Sequence, residues 1–208
     1  MNDFFKKNNQ LIINIVLFVS LTRFFAIQAL ESYQSGEFGL LEIIWVIHNL
    51  ILVSLILIRK NHLFLQTNFL HQGIALLAFF SGAFMDLKVK APEPWCLTVS
   101  NGILLVTVIA GTITLINLGK SFGILIAVRE VKSNGLYAFV RHPMYGTDIL
   151  MRLGIIFRHP SWFNFIVALF STLCYVQRAI LEEHFLSQFP EYKEYMERVR
   201  YRFIPGLF

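Results

Sequence analysis

The sequence predicts an all-α, polytopic membrane protein with five to six transmembrane segments, the last two forming a helical hairpin, plus a C-terminal interfacial helix. Hydrophobic residues occupy 56% of the 208 positions and charged residues 15%. The mean hydropathy of +0.60 is higher than a soluble domain needs to fill its core. No Pro/Gly/Ser-rich linker or low-complexity tract divides the chain, so we expect residues 1–208 to form a single membrane domain.

Four long apolar runs occupy the first part of the chain, and we interpret them as N-terminal transmembrane helices within residues 1–118. Most approach the ~20 residues that cross a hydrocarbon layer of ~30 Å. The first run follows Lys6 and Lys7, as the core of a signal peptide would, but it is too long and lacks a small-residue cleavage site. The runs are residues 11–30, 39–58, 69–85 and 97–118.

Two further apolar runs, residues 144–157 and 162–182, follow a long polar gap. At 1.5 Å per residue the first reaches only about 21 Å, which is short for a complete crossing. The Arg-His-Pro-Ser sequence at 158–161 predicts the turn between them. Whether this hairpin is full or shallow, its two outer ends are expected on the same side of the membrane.

The C-terminal tail PEYKEYMERVRYRF, residues 190–203, fits an interfacial helix. Tyr192, Tyr195 and Val199 lie on one side of such a helix and charged residues on the other. We expect its tyrosines and arginines to serve mainly as membrane anchors.

The basic residues indicate the orientation. Assigning alternate connections to opposite sides places twelve Lys and Arg residues on one side and three on the other, a clear positive-inside bias. Both termini and the 119–143 loop are therefore predicted to be cytosolic. The formal net charge of +5 does not indicate nucleic-acid binding, because the chain lacks the basic stripe of such a protein. Membrane orientation explains the distribution of the basic residues better. The twelve are Lys6, Lys7, Arg59, Lys60, Lys120, Arg129, Lys132, Arg141, Lys193, Arg198, Arg200 and Arg202, against Lys88, Lys90 and Arg158.

Several common site types have no pattern in this chain. Cys96 and Cys174 form neither a disulfide framework nor a CxxC motif, and the histidines lack HExxH or paired-ligand spacing, so we predict no metal site. The Gly-rich nucleotide-binding motifs and the GxSxG hydrolase motif are also missing.

Charged residues inside apolar runs need partners or water, because an unpaired charge at the bilayer centre costs at least ~2.5 kcal/mol. Asp148 and Arg152 are four residues apart and share a helix face, so we expect an intrahelical ion pair between them. Arg23 is expected to snorkel to the interface.

A second polar cluster is predicted at the cytosolic end of the last run. Arg178 and Glu182 are also four apart, and Glu183 follows directly. They face the same side as Arg141 and His142, and two adjacent carboxylates suit a cationic ligand. The alternative is that Arg178 pairs with Glu182 only to neutralise the helix end.

The segments SNGLYAFVRHPMY (133–145), RAILEEHFLSQFPEYKEYMERV (178–199) and RFIPGLF (202–208) together resemble the C-terminal signature of one superfamily. It comprises the isoprenylcysteine carboxyl methyltransferases and phospholipid methyltransferases, which are integral-membrane enzymes that use S-adenosylmethionine. The resemblance covers about residue 119 to the C-terminus. Thr147 stands where the family has glycine, Pro190 replaces a glycine before Glu-Tyr, and the loop near Arg129 lacks a histidine of the eukaryotic carboxyl methyltransferases.

The resemblance implies a division of the chain and a set of site residues. Residues 119–208 would form the cofactor loop, hairpin and C-terminal helix of a methyltransferase core. Glu182 would bind the ammonium of S-adenosylmethionine or offset its positive charge, with Glu183 as a second candidate, and the 129–132 loop would contact the cofactor mainly through its backbone. The implied cofactor-binding residues are Tyr137, His142, Pro143, Met144, Tyr145, Glu182, Glu183, Arg129, Glu130, Val131 and Lys132.

The resemblance also places Arg178 close to the acceptor, as a catalytic and substrate-binding residue beside Glu182. An arginine fork holds a carboxylate in a fixed plane, and an ionised carboxylate needs alignment more than it needs a base. This favours a lipophilic carboxylate as methyl acceptor. A lipid amine is the nearest alternative, and a sterol-reductase-like enzyme or a non-catalytic membrane protein are further ones. The small multispan size favours a bacterial inner membrane.

The tripeptide Arg-His-Pro occurs twice, at 141–143 and 158–160. Only the first copy has the family's surrounding residues and lies on the predicted cytosolic side. We expect it to build the cofactor site and the second copy to turn the hairpin on the opposite side.

Overall fold

The computed structural model describes residues 2–36, 38–89 and 93–207, and within them the chain is mostly helical. Pro94, Pro143 and Pro190 each occupy the first turn of a helix, where the missing N–H leaves no helical hydrogen bond unmade. The helices are α1 (Asn2–Gln34), α2 (Leu40–Ile58), α3 (Phe69–Phe80), α4 (Pro94–Leu118), α5 (Pro143–Arg158), α6 (Trp162–Leu186) and α7 (Pro190–Arg198).

In the part of the chain that the structure describes, four stretches are long and apolar enough to cross a membrane, namely Leu11–Gln34, Leu40–Ile58, Pro94–Ser121 and Trp162–Leu186. The predicted all-α membrane architecture is therefore confirmed. Two helical stretches are shorter. One comprises α3 and the 3₁₀ turn that follows it, Phe69–Phe84, and the other is α5. Whether these two helices span the membrane stays a prediction, and so does the total of five to six spans.

Helices α5 and α6 are joined by residues 159–161 and pack along each other. Tyr145, near the start of α5, contacts Glu182 near the end of α6, and Asp148, one turn further on, contacts Tyr175. Contacts in this order are those of an antiparallel pair. The buried Asn164 secures the turn, because its Nδ2 donates to the carbonyl oxygens of His159 and Asp86 at 2.7 and 2.8 Å.

The second Arg-His-Pro triplet lies where α5 ends and α2 begins. Arg158 Nη2 is 3.6 Å from Glu42 Oε1, and Arg158 Nη1 donates to Asn101 of α4 at 3.2 Å. His159 contacts the carbonyl oxygen of Val89. This copy therefore connects three helices and the α3–α4 connection, at the opposite end of α5 from the first triplet.

A pair of two-residue strands organises the other end of the bundle. Strand β1 (Phe64–Leu65) pairs antiparallel with β2 (Ala127–Val128), with Phe64 opposite Val128. The Gln72 side chain extends this junction by bonding both the N–H and the carbonyl of Ile126. The sequence gives no signal for these strands, which tie the α2–α3 connection to the loop before α5.

The chain returns to this loop after α7. The N–H groups of Arg141 and His142 donate to the carbonyl oxygens of Tyr201 and Arg202, each at 2.8 Å, and Val140 forms a parallel bridge with Tyr201. The C-terminal segment therefore lies alongside the first Arg-His-Pro triplet.

The ion pair expected between Asp148 and Arg152 is not formed. Arg152 Nη1 donates to the backbone carbonyl of Asp148 at 2.7 Å, and Nη2 lies near Ala78 O and Ser81 Oγ. The carboxylate of Asp148 instead accepts from Tyr175. The expectation failed because spacing along one helix does not show that the neighbouring helix offers acceptors to the arginine.

Candidate functional site

A cavity of about 390 Å³ lies at the end of the bundle that carries β1, β2 and α7. We call it the loop-side cavity. It is bounded by the 121–132 loop, the start of α5, the end of α6 and α7, with Phe64 of β1 on one wall. Its walls therefore combine two of the three segments on which the sequence resemblance depends, 133–145 and 178–199.

Most of the predicted cofactor residues line this cavity. Their backbones come from the loop, from the turn before α5 and from α6, which are distant in sequence. They are Arg129, Glu130, Val131, Lys132, Tyr137, His142, Met144, Tyr145 and Glu182. Of the other predicted site residues, Pro143 is the first residue of α5, whereas Glu183 and Arg178 lie behind the cavity wall.

Tyr145, Glu182 and Arg178 form one group, which we call the Tyr145 set. The hydroxyl of Tyr145 donates to Glu182 Oε2, and Arg178 Cζ lies 4.8 Å from the Tyr145 ring centroid, close enough for a cation–π interaction. The imidazole ring of His142 stacks on the Tyr145 ring, with 5.1 Å between the centroids and 10° between the planes. Tyr145 is thus held by Glu182, Arg178 and His142, with Glu182 lining the cavity.

Arg178 is 2% exposed, and its guanidinium is held by backbone oxygens. Nη1 donates to Ala75 O at 3.0 Å and Nη2 to Gly123 O at 3.2 Å. The direct ion pair with Glu182 that four-residue spacing suggested is not formed, because Tyr145 lies between them. Arg178 Nε is buried without a hydrogen-bond partner.

Glu183 is buried and accepts hydrogen bonds from two arginines and one histidine. Oε1 accepts from Arg141 Nε at 2.7 Å and from His142 Nε2 at 3.0 Å, and Oε2 accepts from Arg202 Nε at 2.9 Å. Arg141 Nη1 continues to the carbonyl oxygens of Val199 and Arg200 at 2.9 Å each. Glu183 therefore fixes the first triplet and the C-terminal segment beside the cavity.

Arg129 is one of the basic residues that line the cavity. A Cβ on Gly123 would lie 2.2 Å from its Nη1, so a side chain there would displace the guanidinium. Burial, together with the nearby positive charge of Arg59, lowers the pKa of Arg129 to about 10, although Glu182 opposes the shift. The arginine remains charged at neutral pH and faces the same cavity as Glu182.

Glu130 lies at the exposed rim and is bracketed by lysines. Hydrogen bonds from Lys132 and Lys60 lower its pKa to about 2, with Oε1 at 2.6 Å from Lys132 Nζ. The ion pair of Glu130 with Lys60 connects the cavity loop to the residues that follow α2.

The tyrosines of α7 differ from their predicted role. Tyr192 and Tyr195 are 6% and 1% exposed and line the cavity, instead of anchoring the helix in a membrane interface. Tyr195 Oη donates to Tyr137 O at 2.8 Å. Burial raises the pKa of both tyrosines well above the usual range. The sequence could not predict that these tyrosines line the cavity, because an amphipathic helix has the same residue pattern whether its apolar face packs against lipid or against protein.

A second cavity, of about 520 Å³, lies deeper in the helical bundle between α1, α2, α4 and α5. We call it the inner cavity. Phe24, Trp45 and Phe80 are among its mostly apolar walls, and Asp148 and Arg152 are its charged groups. Met144 lines both cavities, so the two are separated there by a single layer of side chains.

Among the described residues, no group of three or more His, Cys, Asp or Glu side chains is arranged to hold a metal ion.

Comparison with known proteins identifies one family. The sequence profile of the phospholipid methyltransferase family matches residues 95–192, which run from the start of α4 to the first turn of α7 and include most of the loop-side cavity. A search of curated proteins finds no significant match. Residues 95–192 therefore form a phospholipid methyltransferase domain, which belongs to the superfamily of integral-membrane isoprenylcysteine carboxyl and phospholipid methyltransferases.

Proposed function

We propose that the protein transfers a methyl group from S-adenosylmethionine, held in the loop-side cavity, to a lipophilic acceptor that arrives from the bilayer. The observation that carries this proposal is the convergence of Glu182 and Arg129 on one cavity inside the methyltransferase domain. The first offers a carboxylate and the second a guanidinium, as a ligand with an ammonium and a carboxylate needs.

The residues of the cavity fit S-adenosylmethionine. Its volume of about 390 Å³ falls in the roughly 300–1,000 Å³ range of small-molecule sites. The hydroxyl of Ser121, which lines it, is buried without a hydrogen-bond partner and so is free to bind a ligand. Phe189 and Tyr192 offer ring faces for an adenine.

Each of these groups would have a separate role. Glu182 would bind the ammonium or balance the sulfonium, and Arg129 would bind the carboxylate. S-adenosylmethionine supplies an electrophilic methyl group on a positively charged sulfur. Because such a methyl group needs a nucleophile aligned with the carbon–sulfur bond, the protein contributes chiefly by positioning. Tyr145, held by His142 and Arg178, would keep Glu182 in place.

The two cavities suit a donor from water and an acceptor from lipid. The loop-side cavity adjoins the connections rich in lysine and arginine, which predict a cytosolic location for this end and for both termini. A bacterial inner membrane would be consistent with the chain's small size. The inner cavity lies among membrane-spanning helices and reaches Met144 from the other side.

Two acceptor classes follow from different residues. A carboxylate acceptor, which the sequence favours, depends on Arg178, whose guanidinium is turned to the carbonyl oxygens of Ala75 and Gly123. An amine acceptor is supported by Asp148, a carboxylate on the wall of the inner cavity. An amine must lose a proton before it can attack, and Asp148 is placed to accept one.

Binding of S-adenosylhomocysteine to the detergent-purified protein, compared with NADPH, tests the donor site. We expect S-adenosylhomocysteine to bind and NADPH not to bind. NADPH binding alone would support a sterol-reductase-like enzyme, and binding of neither would support a non-catalytic membrane protein. Glu182→Ala should weaken S-adenosylhomocysteine binding about tenfold or more, because it removes a charge-assisted hydrogen bond.

Arg178→Ala is the companion variant. We expect it to lower turnover while leaving S-adenosylhomocysteine affinity near the wild-type value, because Arg178 does not line the cavity. Loss of affinity in Arg178→Ala but not in Glu182→Ala would reverse the roles given to these residues.

The chemistry of the product tests the acceptor class. Membranes that contain the protein are incubated with S-adenosylmethionine labelled in its methyl group, and the extracted lipid product is treated with mild base. Release of the label indicates an ester and therefore a carboxylate acceptor, whereas retained label indicates a methylated amine. Membranes with the Glu182→Ala variant serve as the control.

A further inference from the structure

Arg23 lies halfway along the membrane stretch of α1. That stretch runs from Leu11 to Gln34, and at 1.5 Å per residue Arg23 is about 17 Å from either end. Because the hydrocarbon layer is ~30 Å thick, this position corresponds to the middle of the bilayer.

A contact between α1 and α2 gives the same depth. Arg59 follows the last residue of α2 in a connection predicted to be cytosolic, and its Nε donates to Asn14 Oδ1 at 2.9 Å. Asn14 therefore marks the cytosolic end of the membrane layer on α1. Arg23 lies further along the same helix, about 14 Å deeper at 1.5 Å per residue.

The side chain of Arg23 belongs to the outer face of α1, which the rest of the chain leaves uncovered. Of the most apolar part of α1 only 11% is buried, against 33% for each of the other three membrane stretches. Residues on this face recur at intervals of three and four, as on one side of a helix, and its apolar members are between 44% and 58% exposed. We call this surface the α1 stripe, and it comprises Ile12, Val16, Val19, Arg23, Ile27 and Leu30.

Arg23 differs from Arg152 and Arg178, which also lie within helices of the bundle. Both of those arginines are buried and donate to backbone oxygens, Arg152 to Asp148 O and Arg178 to Ala75 O. Arg23 is exposed, and in the part of the chain that the structure describes no oxygen atom accepts a hydrogen bond from it. Its positive charge is therefore not compensated by these residues.

An arginine at this position is unfavourable in lipid. Charged side chains within membrane helices pair with another polar group or face water. The snorkelling expected from the sequence relieves charges near helix ends, and Arg23 is far from both ends of its helix. The α1 stripe therefore calls for a partner that carries negative charge at the middle of the membrane.

We propose that the α1 stripe binds a transmembrane helix of another membrane protein that carries an aspartate or glutamate near its middle. The carboxylate would accept two hydrogen bonds from the Arg23 guanidinium, and the apolar residues of the stripe would pack against the rest of the partner helix. Such a pair is far stronger in the low dielectric of the bilayer than on a wet surface. The interaction goes beyond methyl transfer, since none of the stripe residues lines either cavity.

A second copy of this chain does not supply the required charge. In a dimer of copies inserted in the same direction, a two-fold axis through the stripe would place Arg23 opposite Arg23. In the described membrane helices, the carboxylates near mid-depth are limited to Asp148, which lines the inner cavity and accepts from Tyr175. A carboxylate for Arg23 must therefore come from a different protein.

Photocrosslinking with synthetic peptides tests the surface. Each peptide is a transmembrane helix of leucine and alanine with lysines at both ends, a benzophenone beside its centre, and either aspartate or leucine at the centre. Peptide and full-length protein are reconstituted together in phosphatidylcholine nanodiscs, and crosslinked residues are mapped by mass spectrometry. We expect the aspartate peptide to label the α1 stripe at least about tenfold more than the leucine peptide does.

Arg23→Leu decides whether the guanidinium is responsible. We expect this variant to lower labelling by the aspartate peptide about tenfold, to the level of the leucine peptide. Gln28→Leu is the matched control and should leave labelling unchanged, because it also replaces a polar side chain of α1 with leucine but lies on the wall of the inner cavity. Equal labelling of wild type and Arg23→Leu would overturn the proposal, and so would labelling that falls mainly on other helices.

Stability gives a readout that needs neither peptide nor methyl transfer. If Arg23 serves a partner and not the fold, Arg23→Leu should raise the melting temperature in phosphatidylcholine nanodiscs by a few degrees, because it removes an uncompensated charge from lipid. A lower melting temperature, or failure of the variant to fold, would show that the chain itself needs Arg23 and would overturn the proposal. Dimers that depend on Arg23 in nanodiscs without peptide would place a second copy on the stripe and would overturn it as well.

Discussion

Glu183 and Arg141 form a buried ion pair, with Arg141 Nε 2.7 Å from Glu183 Oε1 and both side chains less than a tenth exposed. The pair joins the end of α6 to the residue that precedes His142. Through Arg141 Nη1 it also holds the backbone of Val199 and Arg200. The neighbouring Glu182 faces the loop-side cavity instead, so two adjacent glutamates have different surroundings.

This difference predicts that two alanine variants will differ in how strongly they lower stability and in whether they weaken ligand binding. Glu183→Ala should lower the free energy of unfolding by about 3–5 kcal/mol, because it leaves buried positive charge without its partner. Glu182→Ala should cost only about 1 kcal/mol, since it removes one hydrogen bond at a cavity wall, while weakening S-adenosylhomocysteine binding. Titration with sodium dodecyl sulfate measures the first quantity and ligand binding the second. Equal destabilisation by the two variants would contradict the assignment.

Tyr195→Phe tests the attachment of α7. The variant removes the hydrogen bond to Tyr137 O and leaves that carbonyl without it, so we expect a loss of about 0.5–1.5 kcal/mol in unfolding free energy. Tyr33→Phe, at an exposed position at the end of α1, is the matched control and should be neutral. If α7 were a membrane anchor, the two variants would behave alike.

Gly154→Ala tests the packing of α5 against α4. A Cβ at Gly154 would lie 2.9 Å from Leu104 Cγ and Cδ2, and overpacking of this kind costs about 1–3 kcal/mol. Gly102→Ala, in α4, meets no atom within 4 Å and should be neutral or slightly stabilising, because alanine is the better helix former. The two variants are compared by thermal unfolding in the same detergent. A stable Gly154→Ala would show that the helices pack less closely than described.

Glu130 predicts a dependence of stability on pH. Its pKa falls from an ordinary 4.5 to about 2 through hydrogen bonds from Lys132 and Lys60. A carboxylate with a lowered pKa contributes stability that is fully present above its unfolded pKa and is lost as the pH falls through its folded pKa. The difference in melting temperature between wild type and Glu130→Gln should therefore stay constant near neutral pH and shrink between pH 4.5 and about 2.

Glu194→Gln, on the exposed side of α7, controls for the general effect of removing one carboxylate. A wild-type advantage over Glu130→Gln that grows as the pH falls below 4.5 would have the wrong sign. In that case the ion pair with Lys60 and Lys132 would not stabilise the loop.

The sequence predicted the long helices well and the contacts between them poorly. The runs 39–58 and 162–182 closely match α2 (Leu40–Ile58) and α6 (Trp162–Leu186), because the length of an apolar run directly determines a membrane helix. Strands of two residues, such as Phe64–Leu65, leave no periodic pattern. Their formation depends on a partner more than sixty residues away.

The candidate site shows the same division. The residues around the first Arg-His-Pro triplet could be named from the sequence because they occur in fixed order at fixed spacing. The partners of charged residues could not be named, since spacing of four suggested Arg178–Glu182 and Asp148–Arg152 ion pairs. In the fold, a tyrosine hydroxyl from the other helix donates to the carboxylate in both cases. The spacing of residues along a single helix cannot predict a partner from another helix.

The exchange of roles between α5 and α6 has a mechanical consequence. Tyr145 of α5 donates to Glu182 of α6, and Tyr175 of α6 donates to Asp148 of α5. Sliding one helix along its neighbour would break both hydrogen bonds together, so the two helices are locked in register.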